Sequence, residues 1–534
     1  MSIPYGIEPM ALSSWKNRHG NFEQRLVPGA SFTLFNPITG DRMASYNATT
    51  ANLQWLIRNA TAKGHRLRAL GAGWSFSKVN AAEHGLVNTK ELRLSFNIAE
   101  NFTHASFRAR GGDPRHLLLT QCGMSVEMLN NKLERESTPG RCLRASGAAH
   151  GQSIVGAFST NTHGGAFRFG SVHDQIVGLH LVVAGDRHVW LERASDPIVD
   201  QNFVDKLPGA ELLRDDDLFN SALVSFGSFG FIHGVMLEGR KLCLLEEHRS
   251  KRLLWSDRTR AMLDSLDIEQ YPDLIPGPLG TAGFEPYHFE VGFNPHQLVE
   301  NDPKKCLFVK VMYRKDFATG YPPMATDPRF QYGDNTFEVL QTALDILGRR
   351  GQHLIPGIVN LLYPLAYAEG PARIGTMSEH FNSTRVRGRA ASLAVGVAAE
   401  HTSQVIDMVL ALNRHTPFAG VTALRFVKGS PATLAFTRFP KTCVLEMDGV
   451  DSKGTNDFYR QLVQQLAATN MPFTLHWGKV NHMLDEALLQ RMYPQSAIDT
   501  WRHARTQLLS PEAMAVFTNG FMESCGLERA QVIV

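Results

Sequence analysis

The first half of the chain alternates between helical and strand-like spacing of its hydrophobic positions. Apolar residues recur at helical spacing over residues 51–63, and Gly64 follows at once, so we predict a helix that ends at this glycine. Residues 65–70 then alternate in polarity, which predicts a strand leading into a glycine-rich turn. Two further apolar runs, 179–184 and 188–191, are separated by three residues that begin with glycine, and this pattern predicts a hairpin.

The second half of the chain has a different distribution of charges, prolines and hydrophobic residues. Residues 231–237 form a strand-like run before charges accumulate between Glu246 and Arg252, and we interpret this charged stretch as a domain boundary. From about 253 to 420 the chain has proline-rich turns and longer helical patterns, without a repeat of fixed period, which predicts an α/β domain. The elements predicted near the end of this half are an amphipathic helix around 405–412, strands at 421–427 and 442–448, and a helix between 457 and 470.

Composition excludes several classes of protein. The chain has 534 residues, of which 43% are apolar, so we expect two or three domains. Its 54 Lys and Arg residues nearly balance its 51 Asp and Glu residues, and this balance argues against a nucleic-acid-binding protein. The six cysteines form no C-x-x-C pair, and no histidine cluster has ligand spacing. We therefore predict neither a metal site nor a disulfide framework.

The chain carries no pattern typical of membrane insertion or export. Its first ten residues lack a charged segment followed by an apolar one, so we expect a cytoplasmic enzyme. The stretch from Gly351 to Ala368 has no Asp, Glu, Lys or Arg, but it contains Pro356 and Pro364. We therefore expect no spanning helix and no membrane contact.

The first candidate for chemistry is the glycine-rich turn R-A-L-G-A-G-W-S-F-S at 68–77. Gly71 and Gly73 directly follow the predicted strand, so backbone N–H groups can approach and bind a phosphate. Phe76 stands where the dinucleotide fingerprint has its third glycine, which disfavours a Rossmann site. A plain tight turn is the alternative interpretation.

A second cluster lies at 144–165 and contains five glycines, three serines and two threonines. Such a segment makes a poor core, but its backbone and hydroxyl groups can surround a large polar cofactor. The alternative is an irregular connecting loop, although such long structureless loops are uncommon in compact domains unless they have a function.

Taken together, several ordered motifs resemble the vanillyl-alcohol oxidase flavoprotein superfamily, and within it the branch of alditol oxidase and the aldonolactone oxidases. The matching segments are W-K-N-R-H-G-N at 15–21, G-A-G-W-S-F-S at 71–77, A-S at 145–146, S-I-V-G-A at 153–157, T-H-G at 162–164, F-G-S-F-G-F-I at 226–232 and H-W-G-K at 476–479. Each motif is weak alone, whereas their shared order is specific. Residues 253–420 carry no matching motif.

The resemblance implies an α+β, two-domain FAD-binding fold of the PCMH type with an α/β cap domain for the substrate. The implied division is an FAD-binding part at 1–250, a cap at 251–470, and a segment at 471–534 that returns to the FAD-binding part. Small-molecule sites commonly form at such domain junctions.

The resemblance also implies which residues hold FAD. These cofactor-binding candidates are Gly71, Ala72, Gly73, Trp74, Ser75, Ser146, Ser153, Gly156, Ala157, Thr160, Thr162, His163, Gly164, Ile232, His476 and Lys479. For His163 and His476, a role as hydrogen-bonded structural histidines is the alternative interpretation.

The attachment of the flavin is expected to be non-covalent. The family commonly has a linking His where this chain has Trp74, and an indole has no nitrogen of comparable nucleophilicity. Other members use a Cys just before the second loop, where residues 148–150 here are Ala-Ala-His. Trp74 then either stacks beside the flavin or holds the loop as a buried aromatic residue.

The catalytic candidates come partly from the resemblance and partly from strand geometry. Lys479 matches a Lys that faces substrate and flavin, Ser146 matches a substrate-contacting Ser, and Arg425 matches the Arg of the branch's Glu-x-Arg. Ala423 stands at the Glu position of that motif, which puts a polyol substrate in doubt.

Two carboxylates complete the catalytic candidates. Glu446 and Asp448 alternate on a predicted strand and so share one face, where they could supply a base with a raised pKa. A solvated face, or a salt bridge to Arg425 or Arg438, is the alternative.

We therefore predict an FAD-dependent oxidoreductase that oxidises a hydroxyl group of a small molecule by hydride transfer to flavin N5. The electron acceptor is O2 or another molecule, and the sequence does not distinguish an oxidase from a dehydrogenase. The alternative is a flavin-fold protein that binds an apolar steroid-, terpenoid- or aromatic-like ligand, with oxidation of another bond type or without turnover. Residues 353–368 could line a pocket for such a ligand, rest on a membrane surface, or form an ordinary buried segment.

Overall fold

The computed structural model describes residues 2–322, 324, 353–366, 369–382 and 389–531. Helices and strands are mixed along the whole of this described part, which confirms the predicted α+β class. Within those ranges, no helix is both long enough and apolar enough to cross a membrane.

The helices are numbered in chain order. They are α1 (Arg42–Lys63), α2 (Ala105–Ala109), α3 (Val126–Glu134), α4 (Ile154–Ser159), α5 (Gln201–Val204), α6 (Asp216–Leu223), α7 (Asp257–Ser265), α8 (Ile355–Ala366), α9 (Met377–His380), α10 (Thr402–Asn413), α11 (Lys453–Ala468), α12 (Glu486–Met492), α13 (Gln495–Leu508), α14 (Pro511–Val516) and α15 (Gly520–Ser524).

The strands are numbered in the same way. They are β1 (Ile7–Pro9), β2 (Ser14–Lys16), β3 (Glu23–Arg25), β4 (Phe32–Leu34), β5 (Leu67–Leu70), β6 (Gly85–Asn88), β7 (Ser95–Asn97), β8 (Leu117–Gln121), β9 (Arg141–Cys142), β10 (Ile176–Val182), β11 (His188–Glu192), β12 (Ala210–Arg214), β13 (Phe231–Glu238), β14 (Arg240–Lys241), β15 (Cys243–Leu253), β16 (Glu285–Phe293), β17 (Leu307–Asp316), β18 (Arg373–Gly375), β19 (Ala390–Ala398), β20 (Gly420–Lys428), β21 (Lys441–Val450) and β22 (Phe473–Leu475).

Helix α1 and strand β5 confirm the first predicted helix and strand. The helix ends where Gly64 adopts a φ of 64°, which glycine tolerates best. It begins at Arg42, about two and a half turns before the apolar pattern, with Asp41 accepting a hydrogen bond from the Ala44 N–H at 2.9 Å. The first turns of the helix bury polar side chains, and the Tyr46 hydroxyl lies 2.8 Å from His180 Nδ1. The spacing of hydrophobic residues therefore does not reveal these turns.

Two sheets form the N-terminal half. The first has the order β1-β4-β6-β5, and its last three strands are parallel. The second has the order β12-β11-β10-β13-β8-β7. In it, β10 and β11 pair antiparallel with Leu179 opposite Leu191, which confirms the predicted hairpin.

An eight-stranded antiparallel sheet dominates the second half, in the order β18-β15-β17-β16-β20-β21-β19-β22. The charged stretch 246–252 lies inside β15, where the charges form lateral pairs such as Glu246 with Lys315 at 2.7 Å. This stretch is therefore part of the sheet rather than an irregular linker. The predicted strands at 421–427 and 442–448 are β20 and β21, and the two predicted helices are α10 and α11.

The last helices pack against the N-terminal half. Helix α13 contacts α6, and α14 contacts α1. The indole of Trp501 donates to the Val224 carbonyl at 3.1 Å, and the buried Arg505 donates to the Ser228 carbonyl at 3.1 Å. The loop that contains Ser228 is thus held by the end of the chain.

The apolar segment 353–366 contains α8, and residues 351–352 and 367–368 lie outside the described residues. Ile355, Val359 and Tyr363 are buried against residues at the start of β20 and the end of β21. Tyr363 also accepts a hydrogen bond from the Thr422 N–H at 2.6 Å. The described part is therefore an apolar helix that packs one face on the sheet and exposes Leu361 on the other.

We expect Arg505→Met to destabilise the protein by about 2 kcal/mol, because buried acceptors would lose their donor. The guanidinium also donates to the Met514 carbonyl at 2.9 Å and to Thr518 at 3.0 Å, and burial lowers its pKa to about 9. Thermal unfolding would measure the change. The matched control is Arg529→Met, which removes an exposed pair with Glu486. Equal decreases of the melting temperature in the two variants would contradict this structural role of Arg505.

Candidate active site

A cavity lies where the glycine-rich loops meet the eight-stranded sheet. Its wall combines both predicted loops, the turn at 226–232, the start of β19, one face of β20 and β21, and the segment 476–479. All but three of the predicted site residues line it, and these are Gly71, Ala72, Gly73, Trp74, Ser75, Ser153, Gly156, Thr160, Thr162, His163, Ile232, Arg425, Glu446, Asp448, His476 and Lys479.

The other three, Ser146, Ala157 and Gly164, belong to the same loop but not to the cavity lining. The hydroxyl of Ser146 is buried and lies 3.2 Å from His150 Nε2 and 3.0 Å from the Gly147 carbonyl. Its contacts are therefore with its own loop, and its predicted contact with substrate remains a prediction.

The first loop is held from outside by the segment 15–21. The Arg18 N–H donates to the Gly73 carbonyl at 2.9 Å, and the Asn17 side chain donates to the Ser75 carbonyl at 3.0 Å. His19 Nε2 lies 3.0 Å from the Trp74 carbonyl. These contacts give the N-terminal motif a physical role, because they fix three successive loop carbonyls.

The same loop is tied on its other side to the segment 476–479. The Phe76 N–H donates to the Gly478 carbonyl at 2.8 Å, and the Ser77 hydroxyl donates to the Trp477 carbonyl at 2.6 Å. The position of Lys479 is therefore coupled to the glycine-rich loop, although about 400 residues separate the two segments in sequence.

The two glycine-rich loops approach each other too closely for larger residues. A Cβ atom on Gly71 would lie 2.2 Å from the hydroxyl oxygen of Ser153. That oxygen begins α4 by accepting a hydrogen bond from the Gly156 N–H at 3.2 Å. Gly73 has a φ of 70°, which glycine adopts without strain.

Trp74 both lines the cavity and holds the second loop. A Cβ atom on Gly151 would lie 2.7 Å from its indole ring, and the Arg18 guanidinium lies 4.7 Å from the ring centre on the other side. The side chain is therefore fixed between the second loop and the N-terminal motif.

Two buried polar atoms in the cavity wall fit a polar ligand. Trp74 Nε1 and the Ser159 hydroxyl have no hydrogen-bond partner among the described residues. Buried donors are normally satisfied, so such atoms are expected to have a ligand or water as partner. Together with the close backbone of the glycine-rich loops, they suit a large cofactor rich in hydrogen-bonding groups.

A charged cluster forms the opposite part of the wall. Lys479 Nζ lies 3.2 Å from Glu446, 3.6 Å from Asp448, and 2.6 Å from the hydroxyl of Ser392, to which it donates. Ser392 donates in turn to Asp448. Burial alone would lower the pKa of Lys479, but the two carboxylates raise it above its ordinary value, so the ammonium is charged at neutral pH.

Arg425 belongs to the same network. It lies 3.6 Å from Glu446 and donates to Glu290 at 2.9 Å, while Lys310 lies 2.9 Å from Glu290. Burial opposes the ionisation of Glu446, but Lys479, His163 and Arg425 hold its pKa well below the ordinary value. Glu446 is therefore not the base with a raised pKa that the strand pattern suggested, because three cationic or hydrogen-bonding neighbours stabilise its anion.

The two histidines of the site have different partners. His163 places Nε2 at 3.1 Å from Glu446 and Nδ1 at 3.0 Å from the Gly164 carbonyl. His476 accepts the Gly478 N–H on Nδ1 at 2.9 Å. Burial holds the pKa of His476 well below its ordinary value, so this ring is neutral with its proton on Nε2.

Sequence reasoning missed Ser392 and Glu290, which connect the charged groups. Ser392 is the single hydroxyl in the otherwise apolar strand A-A-S-L-A-V-G-V-A, and Glu290 is a buried acid in the middle of β16. A polar residue inside an apolar strand was the available signal. Its partners could not be read from the sequence, because they lie on other strands.

Comparison with known proteins agrees with this geometry. A family model described as an FAD binding domain matches residues 45–192, which include both glycine-rich loops. The L-gulono-1,4-lactone dehydrogenase of Mycobacterium tuberculosis is 22% identical over 447 residues, covering 83% of this chain and 88% of that protein. The D-arabinono-1,4-lactone oxidase of Yarrowia lipolytica is 24% identical over 185 residues, covering 35% of this chain and 29% of that protein.

Among solved structures, a solvent-stable cholesterol oxidase superposes with a TM-score of 0.65 at 16% identity. The match covers 98% of this chain and 99% of that one. The domain match, the relatives and the shared architecture confirm the resemblance to the vanillyl-alcohol oxidase superfamily, the two-domain PCMH-type fold and FAD as the cofactor.

We expect Gly71→Ala to weaken FAD binding about tenfold, or ~1.4 kcal/mol, because the new Cβ would push Ser153 away and separate the loops. Titration of the flavin-free protein with FAD, followed by fluorescence, would measure the affinity. Gly40→Ala is the matched control, since a Cβ there meets open space. Unchanged affinity in Gly71→Ala would show that the loops tolerate separation.

Proposed function

We propose that this FAD-dependent oxidoreductase oxidises a hydroxyl group of a small polar molecule. The observation that carries the proposal is the cluster of Lys479, Glu446, Asp448 and Ser392, which lines the same cavity as the glycine-rich loops. Bound FAD supplies the acceptor for the two electrons and the hydrogen of the C–H bond. The residues of this chain must then position the hydroxyl group and manage its proton and the developing charge.

Each member of the cluster has a distinct role in this proposal. Asp448 is the proposed acceptor of the hydroxyl proton, and the donated hydrogen bond from Ser392 holds it in place. Lys479 stabilises negative charge that develops as the C–H bond breaks. Glu446 keeps the ammonium of Lys479 charged, and it orients the ring of His163 from 3.1 Å.

The charge of the cluster favours a hydroxyl-rich substrate. Ala423 stands where the related branch has an acid, but Glu446 lies directly opposite it in the register of β20 and β21. Directly opposed residues of antiparallel strands point to the same face, so Glu446 presents a carboxylate beside the vacant position. Arg425 lies two residues from Ala423 and shares that face.

An apolar ligand is less compatible with the cavity. None of the described residues 353–366 lines it, and the ionisable side chains of its wall include Arg425, Glu446, Asp448, His163 and Lys479. Such groups would lose hydration against a steroid-like surface without gaining partners. We therefore favour oxidation of a polar substrate over binding of an apolar ligand without turnover.

The remaining parts of the proposal concern the domains and the cellular setting. We propose an FAD-binding part at 1–250, a cap at 251–470 and a returning segment at 471–534, supported by the contacts of Trp501 and Arg505 with the loop near Ser228. The proposed location is cytoplasmic, and the electron acceptor is O2 or another small oxidant.

The test of the function is reduction of the bound flavin by candidate substrates without oxygen. Polyols, aldoses, aldonolactones and apolar alcohols would each be mixed anaerobically with the yellow enzyme, and bleaching of its visible absorption would be recorded. Bleaching by hydroxyl-rich compounds is expected. Bleaching confined to apolar alcohols, or displacement of a bound dye by them without bleaching, would favour the alternative.

Lys479→Met should slow flavin reduction by about 10- to 1000-fold, the scale of one lost electrostatic stabiliser. Methionine keeps most of the stem but removes the cation. FAD content should change little, because the carbonyls of Trp477 and Gly478, and not the Lys479 side chain, bind the first glycine-rich loop. Anaerobic rapid mixing would measure the rate, and loss of FAD without loss of rate would instead assign Lys479 to cofactor binding.

The parental rate should exceed the Lys479→Met rate throughout pH 4.5 to 10.5, a window set by the ordinary pKa values of Glu446 and Lys479. Glu446 has a lowered pKa and stays anionic throughout this window, while Lys479 has a raised pKa and stays cationic. Rates of flavin reduction across the window would check this. A ratio that collapses near neutral pH would mean that Lys479 loses its charge there.

Acid precipitation should release the flavin into the supernatant, because Trp74 occupies the position of the linking histidine. The chromophore would be followed by absorption and by fluorescence of the washed pellet. Replacing Trp74 by Phe should leave this release unchanged. Flavin retained in the pellet would reveal a covalent bond to another residue.

A further inference from the structure

A pair of thiols lies outside the cavity described above. Cys142 ends β9, Cys243 begins β15, and their sulfur atoms are 3.6 Å apart. Cys142 is fully buried, and 7% of Cys243 is exposed. With Leu242 they form a small apolar cluster that is separate from the main core. A change at this cluster therefore requires no rearrangement of the main core.

We propose that Cys142 and Cys243 form a reversible disulfide when the protein meets a hydroperoxide. The bond would join the segment that enters the second glycine-rich loop to the first strand of the eight-stranded sheet. The pair would thus act as a redox-responsive crosslink next to the second glycine-rich loop. The formation of this crosslink does not depend on the substrate of the enzyme.

Local backbone geometry already holds the two thiols together. Strands β9 and β14 pair antiparallel, with Cys142 opposite Arg240 and Arg141 opposite Lys241. The Leu242 N–H then donates to the Gly140 carbonyl at 3.0 Å, so both sides of the pair are hydrogen-bonded. The sulfurs must approach from 3.6 Å to about 2.05 Å for the bond to form.

The charges around Cys243 favour its thiolate. It lines a surface cavity together with Arg240, Lys241, Arg314 and Lys315, and the carboxylates there are Glu285 and Asp316. Arg314 pairs with Glu285 and Lys315 with Glu246, whereas Arg240 has no carboxylate within salt-bridge distance among the described residues. The cavity is therefore cationic and reachable by a small oxidant.

The surroundings favour deprotonation of one thiol and oppose deprotonation of the other. This difference is typical of a nucleophilic cysteine and its resolving cysteine. The hydrogen bond from Cys142 lowers the pKa of Cys243, against the effect of burial, and Arg240 and Arg314 lower it further. The same contact and burial raise the pKa of Cys142. Cys243 is therefore the thiol that reacts first.

The chemistry balances with hydrogen peroxide as the oxidant. The thiolate of Cys243 attacks one peroxide oxygen, the O–O bond breaks, and a sulfenic acid forms with release of hydroxide, which takes up a proton to give water. The sulfur of Cys142 then attacks the sulfenic sulfur, its proton leaves with the hydroxyl group as water, and the S–S bond forms. Two thiols are oxidised by two electrons, and one peroxide is reduced to two waters.

Peptide mapping of the FAD-loaded protein tests the proposal directly. After brief exposure to hydrogen peroxide, free thiols are blocked with iodoacetamide and the protein is digested with trypsin. Cleavage after Arg141, Arg144, Lys241 and Arg249 releases the two cysteines on the short peptides 142–144 and 242–249. We expect these peptides to be found linked, and a reductant to separate them. Both cysteines recovered as alkylated thiols would overturn the proposal.

Variants separate a specific crosslink from general oxidation. Cys243→Ala should abolish the linked peptide and leave Cys142 alkylatable after denaturation, whereas Cys443→Ala, which removes another buried thiol, should leave the link intact. Cys306 is the more exposed thiol, with contacts to the Asp302 and Pro303 carbonyls, and serves as an internal reporter of non-specific oxidation. Oxidation of Cys306 while Cys142 and Cys243 stay reduced would contradict the proposal.

A stability measurement on the parent protein gives a second readout, which needs no variant. A crosslink between residues 142 and 243 restricts the unfolded chain, so the peroxide-treated protein should melt at a higher temperature than the same sample after reduction. Progress of Cys243 to a sulfinic acid without a link to Cys142 would also overturn the proposal, because the partner would then fail to resolve the first product.

Discussion

The pairing of the half-buried Lys479 ammonium is the constraint on which the site depends. A cation withdrawn from water in this way needs compensating partners, and here these come from separate strands: Glu446 and Asp448 from β21, and Ser392 from β19. The antiparallel register places Ser392 directly opposite Asp448, so both hold the ammonium from one face of the sheet. Any slip of one residue between β19 and β21 would remove a partner and leave the charge unpaired.

The same residue connects the sheet to the cofactor loops. Lys479 ends the segment 476–479, whose carbonyls accept hydrogen bonds from Phe76 and Ser77 of the first glycine-rich loop. The segment 15–21 binds the carbonyls of that loop from the other side. The loop is therefore fixed between two distant parts of the chain, and its glycines remain free to approach the second loop.

Two buried arginines support the turn at 226–232, which forms part of the cavity wall. Arg68 donates to the Gly227 carbonyl at 2.8 Å, and Arg505 donates to the Ser228 carbonyl at 3.1 Å. Burial lowers the pKa of Arg68 to about 10, yet both guanidinium groups remain charged at neutral pH. They hold a turn in which Phe226, Gly227 and Gly230 have positive φ, so the turn depends on donors from β5 and α13. This dependence explains why the last helices pack on the N-terminal half.

The sequence by itself determined the local elements and the order of the motifs. Gly64 ends α1, the short loop after Ala184 makes the hairpin, and the two glycine-rich loops were recognisable, because each signal lies within a few residues of its effect. The tertiary structure alone decided which charges meet. The pairs of Ser392 with Lys479 and of Arg425 with Glu290 join residues 87 and 135 positions apart. It also decided that Glu446 is held as an anion, because a pKa depends on neighbours in space that have no fixed distance along the chain.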